Sequence, residues 1–481
     1  MYLRWGLVLF VFRAAVALAE DMAPPSPDQA WLPPGLHHYE EELARTNLYD
    51  ADQTGGDSAK TYDLPALIDM AERSHPETRV AWERAREAAR AVGLSESAYY
   101  PYLAASASAG YQHQLAALTT VFPADAAAEQ AGLDLQWLLF DFGERKATVG
   151  AAREQSMVAN VGFNATHQQI VFAVTKSFYD FNTAREKVKV AESALQAAQT
   201  VNQAAQARFD NGLATKPDVL QAEQQTAQAV FDLESARGGF DDAQVTLVQS
   251  LGIVPTEKLQ VAEVPEKRFK EDPDDSLDDL VDRALSQRPD MVAKLATLRA
   301  RQAEVRKARA AYYPKISLAA TVGESKLDIN AYDSPYTGNS KPDYGVGLSI
   351  DLPIFDGFLR ANKLRIAESE LRAAESELTD SRNTAVAEVW RAYTDLKTAL
   401  RKQKAADTLL AAAQSAFDAS LEEYRHGLGT YVDVANAQRY LTAARSTVVD
   451  TRSDVFVNLT SLALSVGELA RPSPSIPNPE K

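Results

Sequence analysis

Six histidines, scattered acidic clusters and a complete lack of cysteine limit the chemistry open to this sequence. Without Cys there is no disulfide framework, thiol nucleophile or thiolate metal site. The histidines, at positions 37, 38, 75, 113, 167 and 426, show no ligand spacing beyond the His37-His38 pair, which sits in a Pro-flanked segment. No Gly-x-Ser-x-Gly, P-loop or Gly-x-Gly-x-x-Gly occurs. Glu271-Asp272-Pro273-Asp274-Asp275 lacks calcium-loop spacing and reads as a solvated linker. An enzyme therefore finds no residues to carry it, and no metal or cofactor is expected. The polar residues that recur in a fixed setting are Asp218 and Asp433, each following a Gly-Leu pair, Gly212-Leu213 and Gly427-Leu428. A carboxylate there is suited to the positive end of a helix that starts just after a turn. What positions these two residues is the organisation of the whole chain.

That organisation is a duplication. Ser74-His75-Pro76-Glu77 recurs as Gln287-Arg288-Pro289-Asp290, and Tyr99-Tyr100-Pro101 as Tyr312-Tyr313-Pro314, both at an offset of 213. Phe140-Asp141 then matches Phe355-Asp356 at 215, as do the segments around Gly212-Leu213 and Gly427-Leu428, Asp218-Val219 and Asp433-Val434, and Leu251-Gly252 and Val466-Gly467. Anchors in one order with a single two-residue slip mark two copies of one module. The divisions expected are a leader at 1–19, a Pro-rich extension at 20–60, modules at 61–253 and 277–467 joined by a linker at 254–276, and a Pro-rich tail at 468–481.

Each module opens with a helical stretch rich in Ala, Glu and Arg, at 64–97 and 277–311, interrupted by Pro76 or Pro289. Two strands follow. Leu103, Ala105, Ala107, Ala109 and Tyr111 alternate with Ala104, Ser106, Ser108, Gly110 and Gln112, and Leu133, Leu135 and Trp137 alternate with Gly132, Asp134 and Gln136. In the second module Ile316, Leu318, Ala320 and Val322 stand against Ser317, Ala319, Thr321 and Gly323. Val346, Leu348 and Ile350 stand against Gly347, Ser349 and Asp351. Period-two alternation gives one apolar and one polar face. Since Asp134, Gln136, Ser349 and Asp351 fall mid-strand on the polar row, an apolar lipid face over a polar lumen is expected, with loops at about 113–129 and 324–343.

After each strand pair comes a stretch of about 65 residues without Pro, enough for a helix of roughly 100 Å. Val389, Tyr393, Leu396, Leu400, Leu410, Phe417, Leu421 and Tyr424 keep a 4-3 register, and Val174, Phe178, Phe181, Val188, Leu195, Ala198 and Phe209 a looser one, predicting coiled-coil packing. Gly212 and Gly427 end these helices, as a left-handed cap permits, and a shorter helix returns from each. Taken alone, each tip is an αα-hairpin turn.

The N-terminus, with Arg4, an apolar run and Ala17-Leu18-Ala19, reads as a secretory leader. Hydrophobic residues make up 46% and the mean hydropathy is -0.28. No later run is apolar enough for a membrane helix, a filter that β-barrels escape. A formal charge of -16 argues against nucleic acid as a partner.

The order helix, strand, strand, long helix, tip, helix, twice over, resembles the TolC family of outer-membrane efflux proteins across roughly 60–467. The motifs that carry the likeness are Tyr-Tyr-Pro before each hairpin, Pro353-Ile354-Phe355-Asp356-Gly357 at the strand-to-helix junction, and the tips, above all Gly427-Leu428-Gly429-Thr430-Tyr431-Val432-Asp433-Val434. The resemblance implies a mainly α protein with a transmembrane β-barrel in the Gram-negative outer membrane. It implies a homotrimer, four strands per chain closing a twelve-stranded barrel that continues as an α-helical periplasmic tunnel. The partners implied are outer-membrane lipid, a periplasmic adaptor meeting the tips at Gly212, Leu213, Asp218, Gly427 and Leu428, and an inner-membrane pump. Asp433 matches the first acidic residue of the family's pore entrance. Asn436 stands where many members have a second Asp, and Gly429 where a bridging Arg often sits. The alternative from another class is a non-transporting coiled-coil envelope protein or an adaptor. An adaptor would carry one helical hairpin rather than two tied to strand pairs.

Overall fold

The computed structural model describes residues 36–45, 60–117, 121–254, 259–264, 276–331, 334–338 and 340–469. The leader, the tail beyond 469 and most of the Pro-rich extension lie outside the described residues. A helix, α1 (Leu36–Arg45), stands within the expected extension. The first module runs β1 (Thr61–Tyr62), α2 (Leu64–Ser74), α3 (Pro76–Glu96), β2 (Tyr102–Ala117), β3 (Val121–Phe140), α4 (Glu144–Asp210) and α5 (Lys216–Ser250). After β4 (Gln260–Val261) the second runs α6 (Leu277–Gln287), α7 (Pro289–Ala310), β5 (Lys315–Ala331), β6 (Ser334–Thr337), β7 (Lys341–Asp351), α8 (Leu359–Arg425) and α9 (Tyr431–Val466).

The opening helices divide where the prolines predict. Asp63 caps α2, its Oδ1 accepting from Ala66 N at 3.1 Å, and Pro76 and Pro289 then start new helices at the first position, where a missing N–H costs nothing. Each kink is packed against the end of its module. A Cβ on Gly252 would lie 2.7 Å from His75 Cα, and one on Gly467 3.1 Å from Arg288 Cα. Both glycines also have φ in the left-handed region, so only Gly fits.

Helices α4 and α8 are each 67 residues long. Their apolar stripes build matched cores. In the first module Leu67, Val174, Phe178, Phe181, Leu247 and Leu251 pack together, and in the second Leu280, Val389, Leu396, Leu462 and Val466 occupy equivalent places. A third cluster, near the tips, joins the modules through Val201, Ala205, Phe417, Tyr424, Tyr431, Val434 and Leu441. Phe209 departs from its expected core position and is exposed. It lies on the last turn before the tip, beyond the packed stripe, with Lys216 Nζ 5.7 Å from its ring centre. The linker is not wholly a solvated run: β4 pairs in parallel with β1, and Arg185 Nη1 donates to the Val261 carbonyl at 2.9 Å.

Among the described residues, β2, β3, β5 and β7 form one antiparallel sheet in that order, with β6 folded back on the outer end of β5. Register fixes the faces. Leu103 opposes Leu135, Leu135 opposes Ala320, Leu318 opposes Leu348 and Ile316 opposes Ile350, so all four strands put their apolar row on one side. Asp134, Gln136, Ser349 and Asp351 share the other side, where Ser106 Oγ donates to Asp134 Oδ2 at 2.9 Å. The apolar side is bare within the chain: Leu348 and Ile350 are 62% and 67% exposed.

The strands outrun their apolar rows, and the expected loops shrink. β2 continues to Ala117 and β3 begins at Val121, while β5 extends to Ala331. Backbone pairing needs no apolar side chain, so the ladder continues into charged rows that alternation cannot reveal. Glu129 opposes Lys326 there, and His113 Nδ1 lies 2.5 Å from Asp125 Oδ1.

Each module turns from strand to helix through two consecutive left-handed residues, Phe142-Gly143 and Gly357-Phe358. The turn is held by an acid-base pair. Asp141 Oδ2 accepts from Arg145 N at 2.8 Å and Nε at 3.0 Å, and Asp356 Oδ2 from Arg360 N at 3.2 Å and Nε at 2.6 Å. Arg145 also donates to the carbonyls of Leu138 and Leu139, where β3 slips register against β5. It thereby satisfies acceptors that a bulge leaves unpaired.

With lipid over the apolar face, an Arg there costs about 2–4 kcal/mol near the bilayer midplane. Leu348→Arg is therefore expected to cut the yield of assembled protein in outer-membrane fractions far more than Ser349→Arg, and equal yields would refute the assigned faces.

Candidate functional site: the hairpin tips and the polar sheet face

Both tips are built from the same hydrogen bonds. Leu213 N donates to the Arg208 carbonyl at 2.7 Å and Gly212 N to Phe209 O at 2.9 Å. Leu428 N and Gly427 N repeat this on Glu423 O and Tyr424 O at 2.8 and 3.1 Å. This is the Schellman ending, and it requires the positive φ of Gly212 (73°) and Gly427 (81°). A leucine one position on commonly packs back against the last helical turn. Here it does not: Leu213 is 68% and Leu428 84% exposed.

The aspartates close the next helices. Asp218 Oδ2 accepts from Thr215 N at 2.9 Å and Thr215 Oγ1 at 2.8 Å. Asp433 Oδ2 accepts from Thr430 N at 3.1 Å and Thr430 Oγ1 at 2.6 Å, while Asp433 N donates to Thr430 Oγ1 at 3.3 Å. Each carboxylate thus has a structural task as the reciprocal partner of a threonine cap. Hydrogen bonds from the Thr430 hydroxyl and N–H hold the Asp433 pKa below the usual 3.8. Asn436, one turn on, is half-buried beside Val434 and Ala437.

A contact that the sequence did not reveal ties the two tips together. Arg208, on the last turn of α4, donates through Nη1 to the Tyr424 carbonyl and through Nη2 to Leu213 O at 3.1 Å, and its guanidinium lies 4.7 Å from the Tyr424 ring centre. Its counterpart in the second module is Glu423, so the link has no symmetric copy. Its place just before the Gly212 turn puts Arg208 at a helix end, but no local signal in the sequence announces its reach across to the other hairpin. Gly429 leaves no space for a larger residue without adjustment, since a Cβ there would sit 3.3 Å from Glu423 Cβ.

On the sheet, the polar row carries Asp134, Gln136, Ser349 and Asp351 on one face, far along the chain from both tips. The structure gathers the tip residues at one end of the long hairpins and these four on the strands.

Because the Asp433 pKa is lower folded than unfolded, its capping stabilises the start of α9 fully above about pH 4 and is lost as pH falls through the folded value. The protection factor of the Thr430 amide, its exchange rate taken relative to the intrinsic rate at each pH, is expected to fall on such acidification in the native chain. In Asp433→Ala it should already be low at neutral pH.

Comparison with known proteins matches this architecture. A family described as outer membrane efflux protein covers residues 67–253 and 280–468, one match per module. Protein CyaE of Bordetella pertussis is 29% identical over 414 residues, covering 85% of each chain. The outer membrane efflux protein BepC of Brucella suis is 27% identical, covering 70% of this chain and 72% of its own. Cation efflux system protein CusC of Escherichia coli K12 is 25% identical, over 84% of this chain and 86% of that protein. Among solved structures, the outer-membrane channel OprN superposes with a TM-score of 0.75 at 21% identity, over 87% of this chain and 95% of that one. VceC of Vibrio cholerae gives 0.71 at 21%, over 84% and 96%. With both modules matched by the family model, over more than half of its length, this chain belongs to the outer membrane efflux protein family.

Proposed function

We propose that this chain is the outer-membrane exit duct of a tripartite export system, working as a homotrimer with a periplasmic adaptor and an inner-membrane pump. The observation that carries this is the shared sidedness of four long strands in one sheet. Their apolar face is bare in the single chain, and the sheet is continuous with two 67-residue helices. Three such sheets supply the twelve strands of a barrel with a lipid-facing exterior, and lipid tolerates only a closed sheet. Asp134, Gln136, Ser349 and Asp351 then line the lumen. The helices supply a tunnel of roughly 100 Å, long enough to carry the tips deep into the periplasm.

The family is one of channels, and the chain is assigned no catalytic step. Its relatives point the same way: CyaE and BepC are similar along most of their length, and CusC is a cation efflux system protein. Leu213 and Leu428 are the docking contacts for the adaptor, since the tip geometry needs the adjacent glycines but leaves the leucines unused. Asp433, repeated three times about the axis, lines the periplasmic entrance with Asn436 one turn inside it.

Purified protein in planar bilayers is expected to give discrete channel conductance, and a silent, bilayer-bound protein would favour a structural spacer instead. Leu213→Ser with Leu428→Ser should leave assembly intact and abolish both adaptor cross-linking and export, and normal export would remove the tips from the docking site. Asp433→Ala should retain conductance but weaken block by multivalent cations added on the tip side, because carboxylates converging in a narrow pore concentrate cations.

A further inference from the structure

Resting on the three-copy reading above, we propose that protomers join through β7 and the partner's β2 in one fixed antiparallel register, which places Gly347 opposite the partner's Gly110. The register follows from the duplication. Strand β3 corresponds to β7 at an offset of 215, and β2 to β5 at 213. The hairpins obey this correspondence: Leu103 opposes Leu135 in the first, and the equivalent Ile316 opposes Ile350 in the second. The seam between modules within one chain, β3 on β5, is therefore a template for the seam between chains. Both β7 and β2 are the free edges of the sheet, and their directions suit antiparallel pairing.

Within the chain, Gly132 opposes Gly323 at that seam. A Cβ on Gly132 would lie 2.9 Å from the Val322 carbonyl oxygen and 3.2 Å from Gly323 Cα. One on Gly323 would lie 2.7 Å from the Ala131 oxygen and 3.1 Å from Gly132 Cα. The backbones approach so closely that neither position admits a side chain. The offsets carry this pair to Gly347 and Gly110. Both are glycine, and in the single chain a Cβ on either meets nothing within 4 Å. Nothing in one protomer explains them. A partner strand in the transferred register explains both at once.

The same transfer sets the rest of the seam. Asp134 opposite Thr321 becomes Ser349 opposite the partner's Ser108, and Leu135 opposite Ala320 becomes Ile350 opposite the partner's Ala107. At the periplasmic end, Lys315 Nζ lies 2.7 Å from Glu144 Oε2 across the internal seam. The equivalent residues are Tyr102 and Leu359, both exposed, so an apolar contact replaces the ion pair between chains.

The absence of native cysteine makes the register directly readable. The closeness of Gly132 and Gly323 marks a narrow, non-hydrogen-bonded pair, and Ser349 with the partner's Ser108 falls two residues along, in the same class. Cα atoms of such pairs stand about 4.5 Å apart, within disulfide range. The double variant Ser108→Cys/Ser349→Cys in the full-length protein, oxidised in detergent, is expected to give covalently linked trimers. Ser106→Cys/Ser349→Cys and Gln112→Cys/Ser349→Cys should give none. Gly347→Val and Gly110→Val should each leave the helical circular dichroism of the chain unchanged and lower the trimer fraction about tenfold, the scale of an overpacked contact. Trimers bonded only at a control pair, trimers bonded at no pair, or trimers indifferent to both valines would overturn the register while leaving three-fold assembly standing. Monomers throughout, in the unsubstituted protein too, would overturn the three-copy reading itself.

Discussion

A buried backbone amide or carbonyl without a partner is among the most expensive features a protein can carry, and in hydrocarbon no water relieves it. The sheet of this chain ends on two such rows, along β2 and along β7. Four strands cannot curl far enough to bring those rows together. The apolar sidedness of the strands, the bare leucines and isoleucines on that side and the glycines that meet nothing all acquire a purpose only when the rows are paired. The long helices share this incompleteness. Each module covers part of a 67-residue coil and leaves large apolar residues such as Trp390, Tyr440 and Phe231 bare.

The duplication makes this demand simpler to meet. One internal seam, solved within the chain by β3 against β5 and by α4 against α7, supplies the geometry for every other seam. A Cβ placed on Gly150 of α4 would lie 4.0 Å from the Ala303 Cβ of α7, an ordinary packing contact, and the abundance of Ala on these helices suits it. The copies are not identical where they need not be. His75 at the first kink corresponds to Arg288 at the second, whose guanidinium bonds both Asp290 and Glu388 at 2.7 Å. Arg208 at the first tip corresponds to Glu423 at the second, which gives the tips a one-way link inside each chain.

Most of the fold was legible because it depends on periodicity. Pro76 and Pro289 marked the helix breaks, the 4-3 register of α8 marked its buried stripe, and alternation marked the faces of all four strands. What escaped detection depends on contacts between distant parts of the chain. Phe209 keeps the register yet is exposed, since register says nothing about where the partner helix stops. The outer ends of β2, β3 and β5 read as loops in the sequence because alternation fades there, with charged residues on β3 and β5, while pairing continues. Arg208 lies 216 residues from the carbonyl it serves, and no local signal announces that. At the candidate site the glycines and the capping aspartates could be read from turn chemistry alone. The exposure of Leu213 and Leu428 follows from the same chemistry, since the turn needs the glycines and leaves the leucines unused.

The joint between strand and helix has a bearing on how such a protein changes over time. Its shape demands two left-handed residues in succession, and a residue with a side chain is strained there by about 1–2 kcal/mol. One module places the aromatic first and the glycine second, and the other reverses them. The backbone path is kept in both, yet the ring is delivered to different surroundings. Phe142 stacks on Tyr313, 5.1 Å away, and so fastens one module to the other, whereas Phe358 leans edge-on against its neighbour Phe355 and stays exposed. A tandem gene can therefore diversify its two halves at this point by exchanging adjacent residues, one ring serving cohesion inside the subunit and the other freed for the surface, without altering the path of the chain.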